Sequence, residues 1–196
     1  MPLGANKAAI MGVAGTAAAG DVVLILSQTA SGDDDITFDS GIDSTYGEYI
    51  FRFYNINPAT DKAEFQFQAN AAGASGYNET ITSSFFQAVT DEADGGASVS
   101  YNTVHDKAQD TGYQVISADV GNGADESSAG ELHLFNPSST TYVKHFYARF
   151  HVYDGNNNVV DHHIGGYFNV TTAIDDIQFK MSTGAFDGVI KMWGVK

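Results

Sequence analysis

From Val22 onward the chain repeats short segments in which apolar and polar residues alternate, the period of two that sends successive side chains to opposite faces of a strand. The clearest lies at 144–153: Phe146, Ala148, Phe150 and Val152 share one face, and His145, Tyr147, Arg149, His151 and Tyr153 the other. AEFQFQA directs Phe65 and Phe67 inward and Glu64, Gln66 and Gln68 outward, and ELHLF sets Leu132 and Leu134 against His133 and Phe135. In EYIFRFYNI, Tyr49, Phe51 and Phe53 fall on one face and Ile50, Arg52, Tyr54 and Ile56 on the other, so both are covered. VVLILS (22–27) is a continuous β-branched run, consistent with a buried strand. Further segments at 81–89, around Val115 and Ile116, and at 159–170, 174–181 and 189–195 bring the total to about ten strands.

Turn-forming residues separate these segments, among them Asn57-Pro58, Gly95-Gly96, Gly121-Asn122-Gly123 and Asn136-Pro137. Asp154-Gly155 and Asp187-Gly188 lie between alternating stretches and are the best hairpin turns. Only 103–110, short and polar, resembles a helix. Many strands without intervening helices predict an all-β fold, a single antiparallel β-sandwich of jelly-roll type over residues 21–196. No internal repeat is visible, which removes propellers and solenoids.

Residues 1–20, MPLGANKAAIMGVAGTAAAG, break this pattern: they are nearly all small and contain no acid. We read them as a short N-terminal arm that docks on a surface of its own domain or a neighbour's, with Leu3, Asn6, Lys7, Ile10 and Met11 as its attachment residues; a loosely ordered leader is the alternative. A signal peptide is not expected, because Lys7 is the sole charge, Asn6 and three glycines interrupt the stretch, and bulky apolar residues are few.

Charge narrows the partners. With 24 acids against 9 Lys and Arg the formal charge is −15, which opposes nucleic acid and anionic membrane surfaces. The imbalance is uneven: nine acids fall between Asp91 and Glu131 with only Lys107 against them. No apolar run approaches the length of a membrane span. The absence of cysteine removes disulfides, thiol nucleophiles and thiolate metal sites.

Candidate chemistry is sparse, and neither an enzyme nor a cofactor is expected. Asp91-Glu92-Ala93-Asp94 has no phosphate-binding GxxxxGK[ST] upstream and reads as an acidic loop. Asp33-Asp34-Asp35 lacks the spaced oxygens of an EF-hand, although a calcium ion bridging loops would draw on Asp33, Asp34 and Asp35 or on Asp125 and Glu126. His145 and His151 share a face but are six residues apart, and His162 and His163 point to opposite faces, so no histidine pair has zinc spacing. No GxSxG elbow is present. Tyr54, Tyr142, Tyr147 and Tyr153 lie opposite the Phe-rich faces; they are candidates for sugar stacking or a subunit interface, and the plainer reading makes them the second wall of a sandwich core.

Longer strings carry a resemblance. LGANKAAIMGVAG, GDVVLILSQTAS, FDSGIDSTYGEYIFRFYNINPATD, GELHLFNPSSTTYVKHFY, GYFNVTTAIDDIQFKMSTG and FDGVIKMWGVK resemble a family of virion structural proteins of marine tailed bacteriophages, the cyanophages and related uncultured phages. The similarity spans nearly the whole chain and is weakest over 90–126, where variable recognition loops are expected on a rigid scaffold. The resemblance implies a particle component exposed on the virion and assembled in the host cytoplasm. Because jelly rolls are common receptor-binding tips, we expect a tail-fibre or fibre-like appendage protein for host attachment, a homo-oligomer expected as a trimer, joined to other virion proteins through the small-residue arm and facing a host surface glycan. A capsid decoration protein and, in a different class, a carbohydrate-binding module are the alternatives.

Overall fold

The computed structural model describes residues 21–196, so Leu3, Asn6, Lys7, Ile10 and Met11 of the arm lie outside the described residues. The described strands are β1 (Val22–Asp33), β2 (Asp35–Phe38), β3 (Glu48–Pro58), β4 (Ala63–Ala71), β5 (Ile81–Asp91), β6 (Ala97–Tyr101), β7 (Lys107–Asp110), β8 (Gln114–Val120), β9 (Ser128–Phe135), β10 (Lys144–Tyr153), β11 (Asn158–Phe168), β12 (Ile174–Met181) and β13 (Phe186–Val195). A large sheet runs β1-β13-β3-β9-β10-β11-β5-β6, with β7 also paired to β5, and a small sheet runs β2-β12-β4-β8. All pairings are antiparallel. No helix of the described residues is long and apolar enough to cross a membrane.

The order is that of a jelly roll with two insertions. The four-strand sets β1-β13-β3-β9 and β2-β12-β4-β8 face each other, and β1 to β4 and then β12 and β13 alternate between them. Strands β5 to β7, inserted between β4 and β8, and the hairpin β10-β11, inserted between β9 and β12, all add to the large sheet. The large sheet therefore extends well past its partner.

Most of the alternation is realised: β10 buries every second residue, and Ile174–Met181 is a strand over the predicted span. Four expectations change. VVLILS lies in an edge strand with Val22 and Leu24 exposed, not in a buried one, because β1 ends the large sheet. Residues 103–110 form no helix; Lys107–Asp110 pairs with β5, where Ser83 Oγ accepts the Lys107 N–H, because this segment has no apolar stripe to hold a helix on the core. Ile56 is fully buried instead of sharing a face with Tyr54, because Asn55 adopts a φ of 52° and a bulge in β3 reverses the alternation. Asp187-Gly188 is no hairpin turn: Gly188, at φ 149°, forms a bulge inside β13, where an added Cβ would lie 2.6 Å from Ile56 Cδ1. Gln68 does point off the small sheet, yet it is buried, since its amide donates to the carbonyls of Glu79, Thr111 and Gly112 in segments that cover it.

Between the sheets lies an aromatic core. Phe179 of β12 is fully buried and its ring lies 5.0–6.2 Å from those of Phe38, Phe51, Phe53, Phe65 and Phe67, so one side chain joins three strands of the small sheet to β3 of the large one. Where the small sheet ends, under β5 and β11, the lining turns polar: Gln114 accepts from Ser83 and donates to the His105 carbonyl, and His162 packs against Phe85 with its Nδ1 unpartnered. Burial, with His105 nearby adding to it, pulls the His162 pKa down to about 4.

Two outcomes are expected. Phe179→Ala lowers stability by about 4 kcal/mol, a fall in Tm of roughly 8–16 °C, in thermal or denaturant unfolding. Because folding depresses the His162 pKa, the unfolded chain binds the extra proton between pH 6.5 and about 4, and stability falls as pH drops through that window. The loss is roughly 3 kcal/mol, and denaturant titrations of His162→Gln at pH 7 and pH 4 should show most of it gone.

Candidate interaction face

Strand register decides which exposed side chains meet. Across the large sheet, Lys191 of β13 pairs with Arg52 of β3, Arg52 with Glu131 of β9, Glu131 with Arg149 of β10, Arg149 with His163 of β11, His163 with Phe86 of β5 and Phe86 with Tyr101 of β6. All these side chains lie on the face turned away from the core. The neighbouring row contains Leu24, Trp193, Ile50, His133, Tyr147, Gly165 and Ser84.

Local interactions fix this surface. Arg149 donates from Nε and Nη2 to the two carboxylate oxygens of Asp161 at 3.1 and 2.8 Å. Burial alone would raise the Asp161 pKa, but hydrogen bonds from Arg149 and His163 outweigh it and hold the group below the usual carboxylate value. Arg52 Nε lies 3.8 Å from Glu131 Oε2. His133 hydrogen-bonds Glu48 through Nδ1 and stacks on Tyr147 with ring centres 4.3 Å apart, while Phe86 stacks on His163 at 4.9 Å. Lys191 Nζ sits 5.3 Å above the Tyr54 ring.

Exposed apolar bulk concentrates here. Val22, Leu24, Tyr54, Phe86, Val99, Tyr101, Tyr147 and Val159 are exposed large hydrophobics, and register places all eight on the outer side of the large sheet. The other two among the described residues, Val104 and Tyr142, are in loops, so none lies on the outer side of the small sheet. That side instead presents Thr37, Gln66, Gln178 and Lys180. The central rows of the large sheet also balance their charge, with Arg52, Arg149 and Lys191 against Glu48, Glu131 and Asp161, in a chain of net charge −15.

The four tyrosines singled out in the sequence thus separate. Tyr54 and Tyr147 belong to this face, at 40% and 43% exposure, and are not a second core wall. Tyr153 shares the face at its far end, where its hydroxyl donates to Glu92 at 3.1 Å. Tyr142 stands apart, 70% exposed on the loop between β9 and β10, over a shallow depression of about 490 Å³ lined by Asn136, Ser139 and His145. Alternation alone identified Tyr54, Tyr147 and Tyr153 as outward; Phe86, Tyr101 and Trp193 were missed because only the pairing of distant strands sets them beside Arg149 and Tyr147.

The acidic candidates do not converge. Asp33 accepts the Ser31 N–H, Asp35 accepts from the Thr37 hydroxyl, and Glu126 accepts the Gly123 N–H within its own turn. Asp34 belongs to the junction of β1 and β2 and Asp125 to the turn before β9. Among the described residues, no three carboxylate or imidazole side chains gather as a metal site.

Compared with known proteins, the chain matches no family model, and no curated protein is significantly similar to it.

Beside Tyr142, Lys144 is fully buried with its ammonium donating to the carbonyls of Tyr142, Val170 and Thr171 at 2.9–3.2 Å, and burial lowers its pKa. This one side chain pins the loops on both sides of the depression. Lys144→Met leaves three carbonyls without their donor and should cost about 2 kcal/mol, read as a lower urea midpoint with an unchanged slope.

Proposed function

We propose that this chain is a structural protein of a tailed-phage particle, displayed on the virion surface as part of a tail fibre or fibre-like appendage that serves host attachment. It acts through assembly and has no catalytic role. The observation that carries this reading is the concentration of exposed aromatic and aliphatic side chains on one charge-balanced sheet face, the kind of surface that marks a protein–protein contact. The resemblance of both ends and most of the body to virion proteins supports it, as does the jelly roll, an architecture used in viral particles and lectins alike. Tyr142, held out on a loop beside Asn136, Ser139 and His145, suits a sugar-stacking tip and favours the appendage.

The broad face of the large sheet favours a second reading, a decoration protein lying flat on the capsid shell. Reconstruction of purified particles, with mass spectrometry of their proteins, separates the two. Copies on the tail are expected, copies on the head would make it a decoration protein, and absence from particles would overturn both.

A further inference from the structure

We propose that the outer face of the large sheet is a self-complementary docking surface that takes a second copy of this chain across a two-fold axis, a dimer in place of the trimer expected from the sequence. The pairing deepens the assembly reading above and rests on it, and the geometry comes from the order of charges along one row.

Across β3, β9 and β10 the charges alternate, Arg52, Glu131 and Arg149; the row continues on β11 with His163, while Asp161, which accepts from Arg149, stands one row away opposite His151. The adjacent minus and plus at the centre of the row, Glu131 and Arg149, become their own complement when the row is turned end to end. A two-fold axis parallel to the strands, passing between β9 and β10, does this turn. It sets Glu131 against Arg149 of the second copy and Arg149 against that copy's Glu131, with Arg52 meeting that copy's His163 further out. The contact is isologous, as most homodimer contacts are. Any contact that set like residues face to face would oppose Arg149 to Arg149.

The same axis bisects the sheet. Along the path β1-β13-β3-β9-β10-β11-β5-β6, four strands lie on each side of it, so the whole face is used. In the neighbouring row it sets His133 against Tyr147 of the second copy, and at the flanks Lys191 against Phe86, a cation over a ring. His151 of the second copy faces the depression of about 350 Å³ between Tyr54 and His151. Packed sheets cross at about 30°, so the register is strictest at the centre, where Glu131 and Arg149 sit.

Size and charge agree. Eight strands spaced about 4.8 Å apart, three outward rows deep, present about 750 Å² per copy, close to the about 800 Å² per partner of a stable interface. The acid excess of the chain lies elsewhere, so two copies of charge −15 approach by the face that repels least.

Light scattering on the full-length protein at micromolar concentration should give twice the chain mass of 20.8 kDa. Glu131→Arg opposes two arginines across the axis and Arg149→Glu opposes two glutamates. Each should weaken pairing on the order of a hundredfold and yield a folded monomer by circular dichroism. An equimolar mixture of the two variants should dimerise again, because residue 131 of one then meets an opposite charge at residue 149 of the other. A wild-type monomer, a trimer, or a mixture of folded variants that stays monomeric would each overturn the pairing. Presence in particles is read independently, so a monomer in solution that is still found on virions defeats this inference and leaves the assembly reading standing.

Discussion

Everything in this fold depends on the contact of the Phe179 ring with five other phenylalanines. It lets four short strands hold a sheet twice as wide, because rings meeting edge to face at Phe38 and Phe53, tilted at Phe51 and stacked at Phe65 and Phe67 remove large apolar areas from water in a fixed geometry. The small sheet cannot cover all of its partner, however. Past β8 the inner face of β11 and β5 is roofed by connecting segments, and the buried Gln114 and His162 stand there among apolar neighbours, with the half-buried Ser83 donating to Gln114. The aromatic core supplies rigidity; the overhang carries Gln114 and His162 and, through His162, the sensitivity to acid.

The same overhang shapes the outside. Adding β10, β11, β5 and β6 to a four-stranded jelly-roll sheet doubles the flat area available to a partner without enlarging the small sheet. It also brings residues distant in sequence into straight rows. Alternating charges along such a row restrict which approaches are allowed, while aromatic neighbours such as Tyr147 and Phe86 provide contact area with few rotatable bonds. A chain so rich in acid retains a neutral surface because its basic residues are placed there: Arg52, Arg149 and Lys191 are three of nine.

The sequence disclosed the strands well and their arrangement hardly at all. Phe146, Phe150 and Val152 announced the inner face of β10 because alternation is a local property, and the outward direction of Tyr147 and Arg149 followed from it. Ile56 and Asp187-Gly188 misled because bulges at Asn55 and Gly188 reverse or displace the alternation, and a bulge is set by the neighbouring strand. Lys144 sits between Val143 and His145 with nothing to mark it as buried; the three carbonyls that receive its ammonium come from two loops that only the folded sheet brings together. The row from Lys191 to Tyr101 was invisible for the same reason, since six strand pairings define it.

The pairing of β1 with β13 carries a consequence for how the protein folds. Val22 meets Val195 and Thr29 meets Val189, so this ladder closes a loop that contains almost the entire described chain. Hairpins such as β10-β11 close short loops and form early, whereas β1 can add only after the strands between have been arranged. Until then the outer backbone edge of β13 stays open, and the β1 of another molecule fits it as well as its own does. Folding at high local concentration, as on a polysome, would therefore favour strand exchange between copies, and slow dilution during refolding would suppress it.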